Sequence, residues 1–335
     1  MNHKQSLINS LVSIAGDYQK VDFNSSHVQR WVEQFPDDSH KVLLRNLVSI
    51  LEKTYYSKNK VEVFFQNVLQ DDSIFLEPLE KYTFLDIQDR GNSQKDMLKI
   101  INEQCYSIFG KRIKKSNFNE HHNYVYVDDA IYSGNRLKWD IVDWAATLPD
   151  VNAEINLLII VIGIHCRNLD YVLDEIKKRL PKVNIECFSD IIFIDYNKLF
   201  LGQYESYLAP EMEYSQISMD YIEQIDSQRS ANQKQWYPLL RNKETMLEDS
   251  YFVSLQERNI VEAMFLEQGV QIEKTATFPN IRPLGYDKNR TLGFGSFLVT
   301  YRNIANNCPL VLWWGDENGH ASISNWYPLF PRTVN

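Results

Sequence analysis

Long apolar runs are scarce in this sequence, which excludes a membrane-spanning helix. The longest, Leu157 to Ile164, falls far short of the ~20 residues a helix needs to cross a bilayer. The opening stretch MNHKQSLINSLVSIAG is interrupted by Asn9, Ser10 and Ser13, so it reads as no signal-peptide core, and a cytoplasmic location is expected. Basic runs long enough to form a binding face are also missing, and the formal net charge is -9. Neutralising a phosphate backbone requires clustered Lys and Arg, so a dedicated nucleic-acid binder is not expected. Cysteine is sparse: Cys105, Cys166, Cys187 and Cys308 lie far apart with no C-x-x-C spacing. That excludes a zinc ribbon and a disulfide framework, and leaves four small buried hydrophobes as the expectation.

What is present suffices for a large core. Hydrophobic residues make up 44% of the chain, and 335 residues allow two domains or one domain with appendages. The first eighty residues read as helices. Val28, Trp31 and Phe35 share one face and Pro36 ends that segment; Ser39 is placed to cap a second helix and Ser57 to open a third. From Tyr82 the rhythm changes to strands alternating with helices: Tyr82 to Ile87, Tyr124 to Val127, Ile155 to Ile164 and Ile191 to Ile194 are the strand candidates. Between the first two, Ser93 and Asp96 form a capping signal for a helix. Such alternation predicts βαβ units and a parallel sheet, whose ligands bind at the carboxyl ends of the strands. The fold class is therefore α/β, with a helical unit over 1–80, a core over 81–200 and an α+β extension over 201–335. In the extension, Phe297 to Tyr301 and Pro309 to Trp314 read as strands around an Asn306-Asn307 turn.

The chemistry lies in residues 124 to 136, Tyr-Val-Tyr-Val-Asp-Asp-Ala-Ile-Tyr-Ser-Gly-Asn-Arg. A hydrophobic strand delivers Asp128 and Asp129, which when ionised only accept hydrogen bonds and so suit the paired hydroxyls of a ribose. Ser133 and Gly134 then turn into a helix whose N-terminal end favours a phosphate, with Gly134 leaving room for close backbone approach. An acidic turn with a polar helix cap is the plainer alternative for the same residues. The loop Asp89-Arg90-Gly91-Asn92-Ser93, after the first strand, offers backbone donors and a cation, or is an ordinary strand-to-helix turn. Lys111, Arg112, Lys114 and Lys115 read as a solvated charge run, and His121 and His122 as loop residues.

The strand, acidic pair and Ser-Gly turn resemble the PRPP-binding signature of type I phosphoribosyltransferases. The resemblance implies a type I phosphoribosyltransferase-like sheet, a ribose-binding role for Asp128 and Asp129, and a 5-phosphate loop at Tyr132, Ser133, Gly134, Asn135 and Arg136. It implies a pyrophosphate loop at Asp89 to Ser93, a mobile closing loop near the basic stretch, and Mg²⁺ carried mainly by the substrate. Tyr132 stands where several family enzymes place an Asp base, and Arg136 replaces the usual closing Thr.

Further segments resemble one branch, the phosphoribosyltransferase-like domains of bacterial conflict systems called PRTase-CE. These are a W-x-x-Q-F element at Trp31, Gln34 and Phe35, a DD-x-x-x-SG-N loop from Asp128 to Asn135, and an Asn-rich turn before Pro309 and Leu310 that leads to Trp313 and Trp314. A closing L-F-P-R follows at Leu329 to Arg332. The Asn306 to Trp314 region reads as an aromatic structural strand or as part of a lid or base pocket. This branch implies an effector of antiphage or retron systems with a protein partner from the same operon. Two activities are open: transfer or cleavage at ribose C1, and nucleotide sensing without catalysis.

Overall fold

The computed structural model describes residues 3–89, 92–118, 120–194, 204–205, 208–244, 251–276, 280–315 and 325–332. Two compact units result, one from residues 58–194 and one from 1–57 together with 195–335. The helix at 58–70, grouped by sequence with the N-terminal helices, belongs to the first of these, the sheet unit.

In the sheet unit the chain runs α1 (Lys58–Gln70), β1 (Tyr82–Phe84), α2 (Ser93–Phe109), β2 (Asn123–Ile131), α3 (Asn135–Ala145), β3 (Ile155–His165), α4 (Leu169–Arg179) and β4 (Val183–Ile194). The neighbours β1–β2, β2–β3 and β3–β4 all pair in parallel, as the alternation predicts. β1 stops at Phe84, short of the expected Ile87, β3 gains His165, and two strands run well past their expected bounds. β2 continues past Val127 to include both aspartates, and β4 starts at Val183, where polar Asn184 and Glu186 conceal it from a search for apolar runs.

A short edge fragment determines the topology. The Phe84 N–H donates to the Lys114 carbonyl at 2.8 Å, while the next N–H, of Leu85, donates to the Val125 carbonyl at 2.9 Å. Successive residues of a strand present their N–H groups to opposite edges, so Lys114–Lys115 flanks β1 on the side away from β2. Phe84 and Lys115 form a parallel bridge there. The chain thus steps outward from β1 through α2 and then crosses back to β2, and strand order reverses between β1 and β2. Right-handed crossovers in opposite directions put helices on opposite faces. Accordingly, α3 and α4 bury Leu137, Ile141, Trp144, Val172 and Ile176 with Tyr124, Tyr126, Leu157 and Ile159. On the other face, Gln66 of α1 bonds Gln104 of α2 at 2.7 Å, and Phe64 stacks on Phe188 of β4.

The other unit builds its core from both ends of the chain. Trp31, fully buried, donates from Nε1 to the Val311 carbonyl at 2.8 Å. Gln34 exchanges bonds with the Tyr327 backbone at 2.8 and 2.7 Å, and Phe35 meets Trp326 edge-on. The W-x-x-Q-F element and the C-terminal L-F-P-R region are therefore partners in one core. Ser39 does not cap its helix, because its hydroxyl bonds the Pro36 carbonyl instead. Leu310–Trp313 is a helical turn rather than a strand, entered from Pro309 and held by a bond from Trp313 Nε1 to the Cys308 carbonyl. Trp313 and Trp314 are buried, and Asn307 bonds the Tyr286 carbonyl. Of the cysteines, Cys105 and Cys308 are buried, Cys166 is half-buried and Cys187 is exposed on β4, which corrects the expectation of four buried ones. Among the described residues no helix is long and apolar enough to cross a membrane.

Candidate functional site

Both candidate loops leave the carboxyl ends of β1 and β2, the adjacent strands between which the order reverses once the Lys114–Lys115 fragment bridged to β1 is counted. In open α/β sheets this is where divergent loops leave a crevice for ligands. Asp128 and Asp129 still belong to β2, and neighbours on a strand project to opposite faces. Asp128 lies on the Tyr124–Tyr126 face and is 5% exposed, whereas Asp129 is half-buried. The two carboxylates are thus not equivalent.

Asp128 is fully engaged within the protein. Its Oδ2 accepts from Gln88 Nε2 at 3.2 Å and from the Tyr126 hydroxyl at 3.3 Å, and its Oδ1 accepts the Asp129 N–H at 2.9 Å. The Tyr126 hydroxyl also reaches Asp140 Oδ2, on α3, at 2.9 Å. One hydroxyl proton thus serves two buried carboxylates. Burial pushes the Asp128 carboxyl above the usual range; the Ser93 hydroxyl, the Asp129 N–H and Tyr126 hold it back, while Asp140 adds to the rise. Burial likewise raises Asp140, opposed by Tyr126, Arg136 and Gln88 and assisted by the charge of Asp89. Asp89 and Arg136, both exposed, therefore act on the same cluster from the two loops.

Gln88 joins the loops. Its side-chain amide donates to Asp128, and its Oε1 accepts the Ser93 hydroxyl at 3.3 Å and the Gln94 N–H at 3.4 Å. Gln94 Oε1 in turn accepts the N–H groups of Ile87 and Gln88 at 2.9 and 2.8 Å. Asn92, not Ser93, occupies the N-cap of α2, and no side chain caps that helix. Ser93 is instead turned to Gln88 and Asp128, which corrects the capping expectation. Arg90 and Gly91 lie outside the described residues.

Beyond β2, Gly134 is the N-cap of α3 in the left-handed region, at φ 67°. No side chain caps this helix, and Ser133 Oγ accepts weakly from Asn135, 3.5 Å from its N–H and 3.3 Å from Nδ2. With no side-chain cap, the first turn of α3 presents backbone donors of the kind that suit an anion. Gly134 has a structural reason of its own: a Cβ there would lie 2.4 Å from Val172 Cγ2. Room for a ligand is thus not what first demands glycine. Tyr132 is half-buried and supplies no carboxylate. The basic stretch behaves as a solvated run, with Lys111 paired to Glu80 and Lys115 3.5 Å from Asp86.

Sequence reasoning missed Gln88, Tyr126 and Asp140. Asp140 carried a signal, since it sits on the same stripe as Leu137, Ile141 and Trp144, where a charge requires a partner. Gln88 carried none, because its role depends on a contact forty positions away.

A family model described as PRTase-CE matches residues 28–332. Comparison with curated proteins and with solved structures gave no match. The match spans the helical element, the strand–acidic pair–Ser-Gly turn and the C-terminal aromatic region together, so the chain belongs to the PRTase-CE family and is phosphoribosyltransferase-like.

Proposed function

We propose that the protein binds the ribose 5-phosphate part of PRPP or of a nucleotide, with Mg²⁺, where the loops after β1 and β2 meet. The observation that carries this reading is the junction itself: the uncapped N-terminus of α3 and the half-buried Asp129 lie at the strand-order reversal. The phosphate would take the backbone donors of Asn135 and Arg136, the Ser133 hydroxyl and the Arg136 guanidinium. Asp129 would accept from a sugar hydroxyl, and Asn92 and Ser93 would face the substituent at C1. Among the described residues no three His, Cys, Asp or Glu side chains are grouped to hold a metal ion. Mg²⁺ would arrive on phosphate oxygens and keep several waters, with Asp89 and Asp129 as nearby carboxylates. Such an ion would neutralise charge on a pyrophosphate group.

With PRPP, the C1–oxygen bond would break with its electron pair leaving on pyrophosphate, and a nucleobase nitrogen or water would supply a pair to C1 and release its proton to the departing pyrophosphate or to solvent. Positioning and nearby negative charge stabilise the cationic sugar, so the chemistry does not depend on a base at Tyr132. In this reading the protein is an effector of a bacterial antiphage system, restrained by a partner. Tyr132, in place of a carboxylate base, favours a second reading, a sensor that binds the nucleotide without turning it over. Incubation with PRPP, Mg²⁺ and individual nucleobases, read by pyrophosphate release, tests the proposal. Release supports the enzyme, binding without release supports the sensor, and absence of both contradicts the site. Induced expression in cells should be toxic for the wild-type chain and harmless for Asp129→Asn if an activity of this site is the effector function.

A further inference from the structure

We infer that the adjacent aspartates divide the work: Asp129 meets the ligand, while Asp128 is a positioning residue that, through Gln88, clasps the loop after β1 to the loop after β2. The inference rests on the ribose-phosphate reading for the role of Asp129 alone. The clasp stands on contacts within the chain.

Three observations lead to it. First, Asp128 has no accessible face to offer: it is 5% exposed and already accepts from three donors, namely Gln88, Tyr126 and the Asp129 N–H. Its burial leaves little carboxylate surface for a sugar hydroxyl to reach. Second, strand alternation sends Asp129 to the opposite face, where it is half-buried rather than enclosed. Third, Gln88 is a two-sided connector. Its amide nitrogen holds Asp128, and its oxygen gathers Ser93 and the Gln94 N–H at the start of α2. Gln94 then fastens the Ile87 and Gln88 backbone. Behind Asp128, Tyr126 and Asp140 fix the carboxylate from the α3 side. The chain of contacts therefore runs from the start of α2 through Gln88 and Asp128 to α3, whose N-terminus forms the other loop. Preorganised loops avoid ordering costs when a ligand arrives.

What Asp128 contributes is hydrogen-bond acceptance at both oxygens, so an amide alone sets a donor against a donor, while a swap with Gln88 can restore the contact between the two. Gln88→Glu would set two carboxylates against each other and open the clasp. Adding Asp128→Asn restores one donor and one acceptor across the same gap. Two readouts apply: hydrogen exchange at the Ile87, Gln88 and Asp129 amides in the ligand-free protein, and affinity for PRPP with Mg²⁺ by calorimetry. Gln88→Glu is expected to accelerate exchange at all three amides and weaken PRPP by about tenfold or more, and Gln88→Glu with Asp128→Asn to recover most of both. Asp128→Asn alone should weaken PRPP only together with faster exchange at the Gln88 or Asp129 amide, whereas Asp129→Asn should lose about tenfold or more with exchange unchanged. Equal losses from Asp128→Asn and Asp129→Asn with unaltered exchange would overturn the division of roles. Unchanged exchange in Gln88→Glu would overturn the clasp. Failure of the wild-type chain to bind PRPP would remove the ligand role of Asp129, while the exchange data would still decide the clasp.

Discussion

A Cβ built on Gly134 would lie 2.4 Å from Cγ2 of Val172, so the turn after β2 is fitted to the first turns of α4 by the absence of a side chain. With φ at 67°, Gly134 also occupies a region that other residues enter at a cost. Gly134→Ala is expected to lose about 2–4 kcal/mol of stability, from the left-handed conformation and overpacking together. Val172→Ala added to it should recover the overpacking part. Denaturant midpoints check this, and a Gly134→Ala chain as stable as wild type would refute the packing argument. Variants at Gly134 are therefore poor probes of ligand binding, and Asp129 is the better one.

The buried Glu262 is held between two fully buried arginines: Arg241, at 2.6 Å, and Arg258, at 3.1 Å. Removing its charge leaves two cations enclosed without their shared counter-ion. Glu262→Gln is expected to destabilise by about 3–5 kcal/mol, far more than a surface ion pair such as Lys178–Glu175. Chemical denaturation of the two variants makes the comparison.

Trp31 joins the N-terminal helix at 25–32 to the C-terminal segment through its ring and its bond to the Val311 carbonyl. Trp31→Ala should cost about 3–5 kcal/mol, and Trp31→Phe less, since Phe keeps most of the volume and loses only the bond. Similar losses from both would place the weight on the hydrogen bond instead.

The strand–acidic pair–Ser-Gly segment was legible because each part is local: a continuous apolar strand, a polar turn and a helix start follow one another directly. The edge fragment at Lys114–Lys115 was not, because one bridge leaves no periodic pattern, and the reversal of strand order was hidden with it. Leu310–Trp313 was misread because a short apolar run fits a strand or a buried helical turn equally well. The pairing of Trp31 with Val311, and of Gln88 with Asp128, depends on chain-distant contacts that no local pattern encodes.

Asp128 and Asp140 both titrate above the usual carboxylate range, chiefly through burial. A carboxyl whose pKa rises on folding binds its proton more tightly in the folded state. Its effect on stability is therefore most favourable at low pH and is lost as pH rises through the raised folded value. Asp140→Asn removes one such group while keeping an oxygen to accept from Tyr126. It is expected to raise the melting temperature near pH ~7, with the gain shrinking toward pH ~4. Thermal melts across that interval check the sign, and a variant less stable at pH ~7 than at pH ~4 relative to wild type would contradict it.

The central claim is that the junction of the two loops is a ribose-phosphate site, and calorimetric titration of the full chain with PRPP, ribose 5-phosphate and ribose, each with Mg²⁺, tests it most directly. PRPP and ribose 5-phosphate are expected to bind, ribose to show no measurable binding, and both phosphorylated ligands to weaken by about tenfold or more in Asp129→Asn. Ribose binding as well as ribose 5-phosphate, or PRPP binding equally to wild type and Asp129→Asn, would contradict it.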